Sequence, residues 1–251
     1  SGSGQSCLLS LYPLPNKNGV ATVTLTVSDG SLTQEESFDL NVTAVNDRPT
    51  LSFMTDKTTL EDTPLINIPV IVGDVDSPLS CTNSISVVAE DPVLLPAAGI
   101  TLSGSVPDCR MTLSPAANKN GATKVTVTVS DGDLSQSSSF IFTVQPVNDA
   151  ATMNPIPSPQ TMDEDTVKEI NVTMDDPDGD LNCSSAFLMH SSSNEKVVPA
   201  LESVVWRGVW PNCVASITPA PNANGTTDIT FTVSDGLATA SQKFTLVVFS
   251  V

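Results

Sequence analysis

"TVSDG" spans Thr26 to Gly30, and the same five letters return at Thr128 to Gly132 and at Thr232 to Gly236. Each copy closes a run in which apolar and hydroxyl side chains alternate: Val125, Val127 and Val129 are separated by Thr126 and Thr128. A period of two marks a half-buried strand, and Asp-Gly marks a tight turn. Other residues keep fixed offsets from this motif. Phe38, Phe140 and Phe244 each follow its glycine by eight residues, and Cys7, Cys109 and Cys213 each precede Gly19, Gly121 and Gly225 of an Asn-rich turn by twelve. Duplication accounts for so many shared spacings.

The period is 102 residues from Asp29 to Asp131 and 104 from Asp131 to Asp235. On that ruler residues 46–147 and 148–251 are complete repeats and residues 1–45 are the latter part of another, so a longer array is expected in the parent protein. Each complete unit offers roughly seven short strands between Gly, Pro, Asn and Ser turns, as in an all-β sandwich of immunoglobulin-like architecture. Ile66, Ile68, Val70 and Val72 read as the inward face of one of them.

The chain has 10 Lys plus Arg against 28 Asp plus Glu, a net charge of −18, which argues against nucleic acid. With 39% hydrophobic residues and a mean hydropathy of +0.09 it has the material for a core rather than for a disordered acidic tail. No run of apolar residues is long enough to span a membrane. Ser1-Gly2-Ser3-Gly4 lacks the character of a signal peptide and reads as a linker remnant or a cut.

Strand direction predicts where the acids meet. The fifteen residues from Asn46 to Glu61 cover about 50 Å if extended, so Glu61 and Asp62 belong at the far end of their repeat. The next strand returns Asp74 and Asp76 to the leading end, Asp131 joins them, and Asn118 and Asn120 fall at the far end. Each junction then gathers oxygens from two repeats and a linker. The first includes Asn46, Asp47, Asp74, Asp76 and Asp131. The second includes Glu61, Asp62, Asn118, Asn120, Asn148, Asp149, Asp176, Asp178, Asp180 and Asp235. Carboxylates at this density call for strong pKa shifts or a cation, and hard oxygens without a His or Cys cluster point to calcium rather than zinc or copper. The Asp-Gly and Asn-Gly turns also stand without any metal. A helix-loop-helix calcium loop starting at Asp176 is excluded, because its sixth and twelfth positions are Leu181 and Phe187 instead of Gly and Glu.

These residues resemble a family, the cadherin-like tandem repeats of bacterial surface adhesins and other giant exported proteins. The resemblance covers essentially the whole chain and is carried by "VNDRP" at Val45–Pro49, "VNDA" at Val147–Ala150, "EDT" at Glu61–Thr63 and Glu164–Thr166, "DVD" at Asp74–Asp76, "DPDGD" at Asp176–Asp180, and the Asn-x-Asn-Gly turns at Asn16, Asn118 and Asn222. It implies that the linker Asn-Asp, the Asp-x-Asp loop, the early Glu and the Asp of VSDG are calcium ligands that stiffen the joint. Two departures stand out. Ala150-Ala151 replaces Arg48-Pro49, which predicts a freer linker in the third repeat, and Asn-x-Asn-Gly stands where cadherins carry an acidic pair.

The other cysteines fall at equivalent places, Cys81 with Cys109 and Cys183 with Cys213, and read as one disulfide per complete repeat in an oxidising compartment; Cys7 aligns with Cys109 and Cys213. His190 lies in the irregular-looking "FLMHSSSN" without a repeated counterpart, and no nucleophile elbow or phosphate loop is present. Trp206 and Trp210 in "VVWRGVW" read as a non-repeated insertion that either stacks on a ligand or staples its loop to the sandwich. The expected function is a non-catalytic, extracellular or cell-surface stalk segment with neighbouring repeats as partners. The alternatives are a carbohydrate- or protein-binding module using the tryptophans, and an accessory domain of a secreted polysaccharide-degrading enzyme.

Overall fold

The structure is a computed structural model and describes residues 6–179, 181–184, 187–200 and 203–251. Two compact units divide at Gln145 and Pro146. The first opens with an antiparallel hairpin, β1 (Gly19–Ser28) and β2 (Thr33–Val42), paired from Gly19 with Val42 to Ser28 with Thr33. Eight strands follow: β3 (Thr50–Leu51), β4 (Lys57–Leu60), β5 (Leu65–Gly73), β6 (Ile85–Ala89), β7 (Ile100–Ser105), β8 (Asp108–Leu113), β9 (Gly121–Ser130) and β10 (Ser135–Gln145). They form two sheets, ordered β3-β5-β8-β7 and β4-β10-β9-β6. Within them β4 runs parallel to β10 and the other pairs are antiparallel.

The second unit repeats the plan with β11 (Thr152–Met153), β12 (Gln160–Asp163), β13 (Lys168–Asp175), β14 (Leu188–Ser192), β15 (Val204–Val209), β16 (Asn212–Ile217), β17 (Gly225–Ser234) and β18 (Thr239–Phe249). Its sheets are ordered β11-β13-β16-β15 and β12-β18-β17-β14. Each complete repeat is thus an all-β sandwich of immunoglobulin type.

Alternation along the strands builds both cores. Val125, Val127 and Val129 of β9 and Phe140, Phe142 and Val144 of β10 belong to one buried cluster, while Thr126 and Thr128 point outward and pair with Ser139 and Ser137. In the second unit Ile229, Phe231 and Val233 join Phe244, Leu246 and Val248. Each such side chain contributes about 1.5–3 kcal/mol on burial. The hairpin β1–β2 keeps the pattern, but no opposing sheet among the described residues covers it: Phe38 is 43% exposed, Phe140 3%.

The disulfides join Cys81 to Cys109 and Cys183 to Cys213, with Cα separations of 5.5 and 5.4 Å; Cys7 is free and exposed. Closing loops with sequence separations of 28 and 30 residues stabilises each sandwich by about 3–4 kcal/mol in the chain-entropy account.

Three expectations are corrected. Ile66 does not share the inward face of Ile68, Val70 and Val72: it is 62% exposed, because a register shift between Leu65 and Ile68 inserts a residue and Asn67 adopts φ 60°. His190 lies on strand β14, opposite Phe231, in the slot that Val87 fills opposite Val127 in β6. Trp206 and Trp210 are no insertion. The β15–β16 hairpin matches β7–β8 residue for residue, with Trp206 opposite Ala215 as Leu102 is opposite Met111, and the bond before Pro211 is cis like that before Pro107.

Candidate functional site

The most repeated chemistry in the molecule lies at the leading end of each complete repeat. The aspartate of VSDG uses its two oxygens differently. Asp131 Oδ1 accepts the backbone N–H groups of Asp133 and Leu134, both at 2.7 Å, which closes the turn after β9; Oδ2 accepts the Asn46 side-chain amide at 3.0 Å. Asp235 does the same, with Oδ1 on the N–H groups of Leu237 (2.7 Å) and Ala238 (2.6 Å) and Oδ2 on the Asn148 amide at 3.2 Å. Backbone N–H donors favour the ionised carboxylate. They lower the pKa of Asp131, through Leu134 first and then Asp133, and bring Asp235 down to about 2, through Ala238 and then Leu237. Asp29 caps its turn through Ser31 and Leu32, both at 2.8 Å, and is lowered chiefly by Leu32.

The Asp-x-Asp loop after β5 or β13 supplies the second hold. Asp74 Oδ1 accepts the N–H groups of Asp76 and Ser77, an Asx turn that lifts Asp76 toward the linker, where Asp76 Oδ2 accepts the N–H of Asp47 at 2.7 Å. In the second unit Asp176 Oδ1 accepts from Asp178 N at 3.0 Å, and Asp178 Oδ2 accepts from Asp149 N at 2.8 Å. Asp176 is 5% exposed. The linker Asn-Asp is therefore clasped onto the repeat that follows it. In the third linker Ala151 is 2% exposed and its N–H reaches Asp235 Oδ2 at 3.4 Å, a bond that Pro49 has no hydrogen to make.

At the far ends, Asp62 accepts from Asn118 N at 3.0 Å and Asp165 from Asn222 N at 2.9 Å. Glu61 is buried beside them, and Glu164 accepts from Val251 N at 3.1 Å and from the Asn224 amide at 3.5 Å. Asn120 is exposed on the same turn as Asn118. Asp180 lies outside the described residues.

The donor set at the leading ends consists of carboxylate and amide oxygens, the chemistry that suits a hard cation such as calcium. Asp74 Oδ2 is buried without a hydrogen-bond partner, an orphan oxygen of the kind a cation satisfies. Among the described residues, no three His, Cys, Asp or Glu side chains close around a common point; the linker donors occupy Asp131 Oδ2 and Asp76 Oδ2 instead.

The tryptophans pack inward. Trp206 meets Phe231 edge-on at 4.8 Å, both tryptophans lie against the core of the second unit, and the buried Trp206 Nε1 has no acceptor. Ser203 Oγ lies 3.3 Å from His190 Nε2, and burial holds that imidazole below its ordinary pKa.

Residues 46–144 and 148–247 each match the family described as the bacterial Ig domain. The chain belongs to that family. No curated protein matches the chain. Among solved structures, these bacterial Ig repeats are similar to a three-domain titin fragment, I67–I69 in a mutated variant, at 10% identity and a TM-score of 0.42, covering 92% of this chain and 75% of that one. They are also similar to titin domains Z1Z2 in complex with telethonin, at 10% identity and a TM-score of 0.36 over 83% and 100% of the two chains. A third similarity is to an endo-fucoidan hydrolase of glycoside hydrolase family 107, at 17% identity and a TM-score of 0.30; this chain is 94% covered and spans about a third of the hydrolase, 34%. Tandem bacterial Ig domains with a disulfide in each fit an extracellular repeat protein. No helix among the described residues is long and apolar enough to cross a membrane.

Proposed function

We propose that this chain is a non-catalytic segment of a cell-surface stalk or fibre of adhesin type, built as cadherin-like repeats whose leading ends bind calcium. The observation that carries this reading is the clasp itself: the same Asn-Asp linker held by the same VSDG and Asp-x-Asp carboxylates in two repeats. A spacer needs joints of restrained angle, and a linker tied in this way to the repeat that follows it, as in both complete repeats, supports that role. Asp74, Asp76, Asp131, Asp47 and the Asn46 amide oxygen would hold the ion in the first complete repeat, and Asp176, Asp178, Asp235, Asp149 and Asn148 in the second. Calcium would supply positive charge that offsets carboxylate repulsion. The protein's own part is to preset the carboxylates: the turn N–H groups fix Asp131 and Asp235 in the ionised form and aim one oxygen at the linker.

Titration calorimetry and small-angle scattering of the whole chain test this. Calcium should release or absorb heat, chelator should shorten the maximum dimension as the joints loosen, and Asp131→Asn with Asp235→Asn should weaken binding. No heat together with an unchanged dimension would reduce the carboxylates to turn and linker caps.

A further inference from the structure

We propose that the apolar cleft at the open end of the β1–β2 hairpin is a docking socket for a plug from the front half of another bacterial Ig repeat: a segment that turns at Asp or Asn and then presents two aliphatic residues and a proline. The cleft has a volume of about 290 Å³, and its wall includes Leu11, Leu14, Gly19, Leu40 and Val42. At the same places in the complete repeats stand Leu113, Ala116, Gly121, Phe142 and Val144, and then Ile217, Ala220, Gly225, Leu246 and Val248. In both of those repeats a plug fills the space. Leu94 and Leu95 lie in one buried cluster with Leu113, Phe142 and Val144, and Val197 and Val198 in the other with Ile217, Leu246 and Val248. The backbone fastens each plug, since Ala116 N–H donates to the Leu94 carbonyl and Ala220 N–H to the Val197 carbonyl, both at 2.9 Å. Leu14 holds that donor's position in the first repeat. Leu11 is 39% exposed where Leu113 and Ile217 are fully buried.

The two plugs share a local design, "DPVLLP" at Asp91–Pro96 and "NEKVVP" at Asn194–Pro199. Asp91 Oδ1 accepts the N–H groups of Val93 and Leu94, and the Asp91 carbonyl accepts from Leu95. Asn194 Oδ1 accepts from Lys196, and its carbonyl accepts from Val197 and Val198. Such an Asx turn forms within a short segment, and the proline disfavours helical backbone at the second aliphatic residue, so the plug is preorganised and loses less freedom on docking. A second copy of this chain is a poor donor, because both of its own plugs are buried in their own repeats. The occupant is therefore a segment of this pattern other than residues 91–96 and 194–199. The inference does not depend on calcium.

The test titrates the whole isotopically labelled chain with a synthetic peptide, Asp-Pro-Val-Leu-Leu-Pro-Ala-Ala-Gly. Saturable shifts should appear at the backbone amides of Leu11, Leu14, Gly19, Leu40 and Val42, and the amides of the two complete repeats should stay in place. Each buried methylene is worth about fourfold in affinity, so a peptide with alanine at both leucines should bind more than about tenfold more weakly. A second arm places either peptide ahead of Ser6 on a Gly-Ser linker, which raises its effective concentration to about the millimolar range. Hydrogen exchange at the Leu14 amide should then slow several-fold with the leucine peptide and stay unchanged with the alanine one. Equal behaviour of the two peptides in both arms overturns the inference. So does a concentration-dependent dimer that the leucine peptide dissolves, since that result assigns the cleft to a second copy of the chain.

Discussion

Replacing Trp206 by alanine separates a packing role from a recognition role. The ring is half-buried, touches Phe231 edge-on and stands where the preceding repeat carries Leu102. Truncating a fully buried tryptophan costs about 3–5 kcal/mol, so a half-buried one should cost about 2. Loss of the aromatic pair adds about 1 kcal/mol, and removal of a buried indole N–H without an acceptor returns a similar amount. The net expectation is a loss of about 2 kcal/mol, or a fall of about 1 M in the urea midpoint for a domain of this size. The chain has two tryptophans, both in the second unit, so Trp210 fluorescence in the variant follows that unit alone. Trp206→Phe should lie within about 1 kcal/mol of wild type, since it keeps a ring on Phe231 and discards the orphan N–H. An unchanged midpoint for Trp206→Ala, combined with lost binding on a glycan array, would refute the packing argument and hand the ring to a ligand.

Gly208→Ala should cost upward of 1 kcal/mol in the same unfolding assay, because φ is +111° and an added Cβ would stand 2.8 Å from the Asn212 carbonyl oxygen; an unchanged midpoint would mean the β15–β16 turn can relax. For the pH dependence, Asp235 is held down to about 2 in the folded chain against about 3.9 when unfolded. Its contribution is complete above the unfolded value and lost as pH falls through the folded one. The carboxyl carbon shift of Asp235 should therefore titrate near 2, and a midpoint near the unfolded value would show that the turn N–H groups do not hold it.

Much of this architecture is legible in the sequence, because repeats supply their own alignment. Val125, Val127 and Val129 announce a strand, and strand direction alone brings Asp74, Asp76 and Asp131 to one end. The misreadings arose where one repeat departs from the other. Trp206 looks unrepeated beside Leu102, although Gly104 with Gly208 and Pro107 with Pro211 share the 104-residue offset and mark the same hairpin. The bulge at Asn67 is written as a one-residue excess between Glu61 and Ile68 over that between Glu164 and Ile170, but an apolar run with the right period conceals it. The division of labour between the two oxygens of Asp131 could not be read from residue order. It depends on which donors face each lone pair, and those come from the turn on one side and the linker on the other.

The parallel pairing of β4 with β10, and of β12 with β18, has a mechanical consequence. In each repeat a strand close to where the chain comes in lies beside the strand by which it leaves, with four residue pairs in register from Lys57 with Phe142 to Leu60 with Gln145, and from Gln160 with Leu246 to Asp163 with Phe249. Tension applied along the chain pulls the two members of such a pair in opposite directions along their own axes. Their hydrogen bonds are then strained together in shear, whereas an antiparallel hairpin pulled at its open end peels one bond after another. A string of these domains would resist a pull through short parallel patches of four residue pairs, while the longer antiparallel hairpins behind them stay unstressed until the patch gives way.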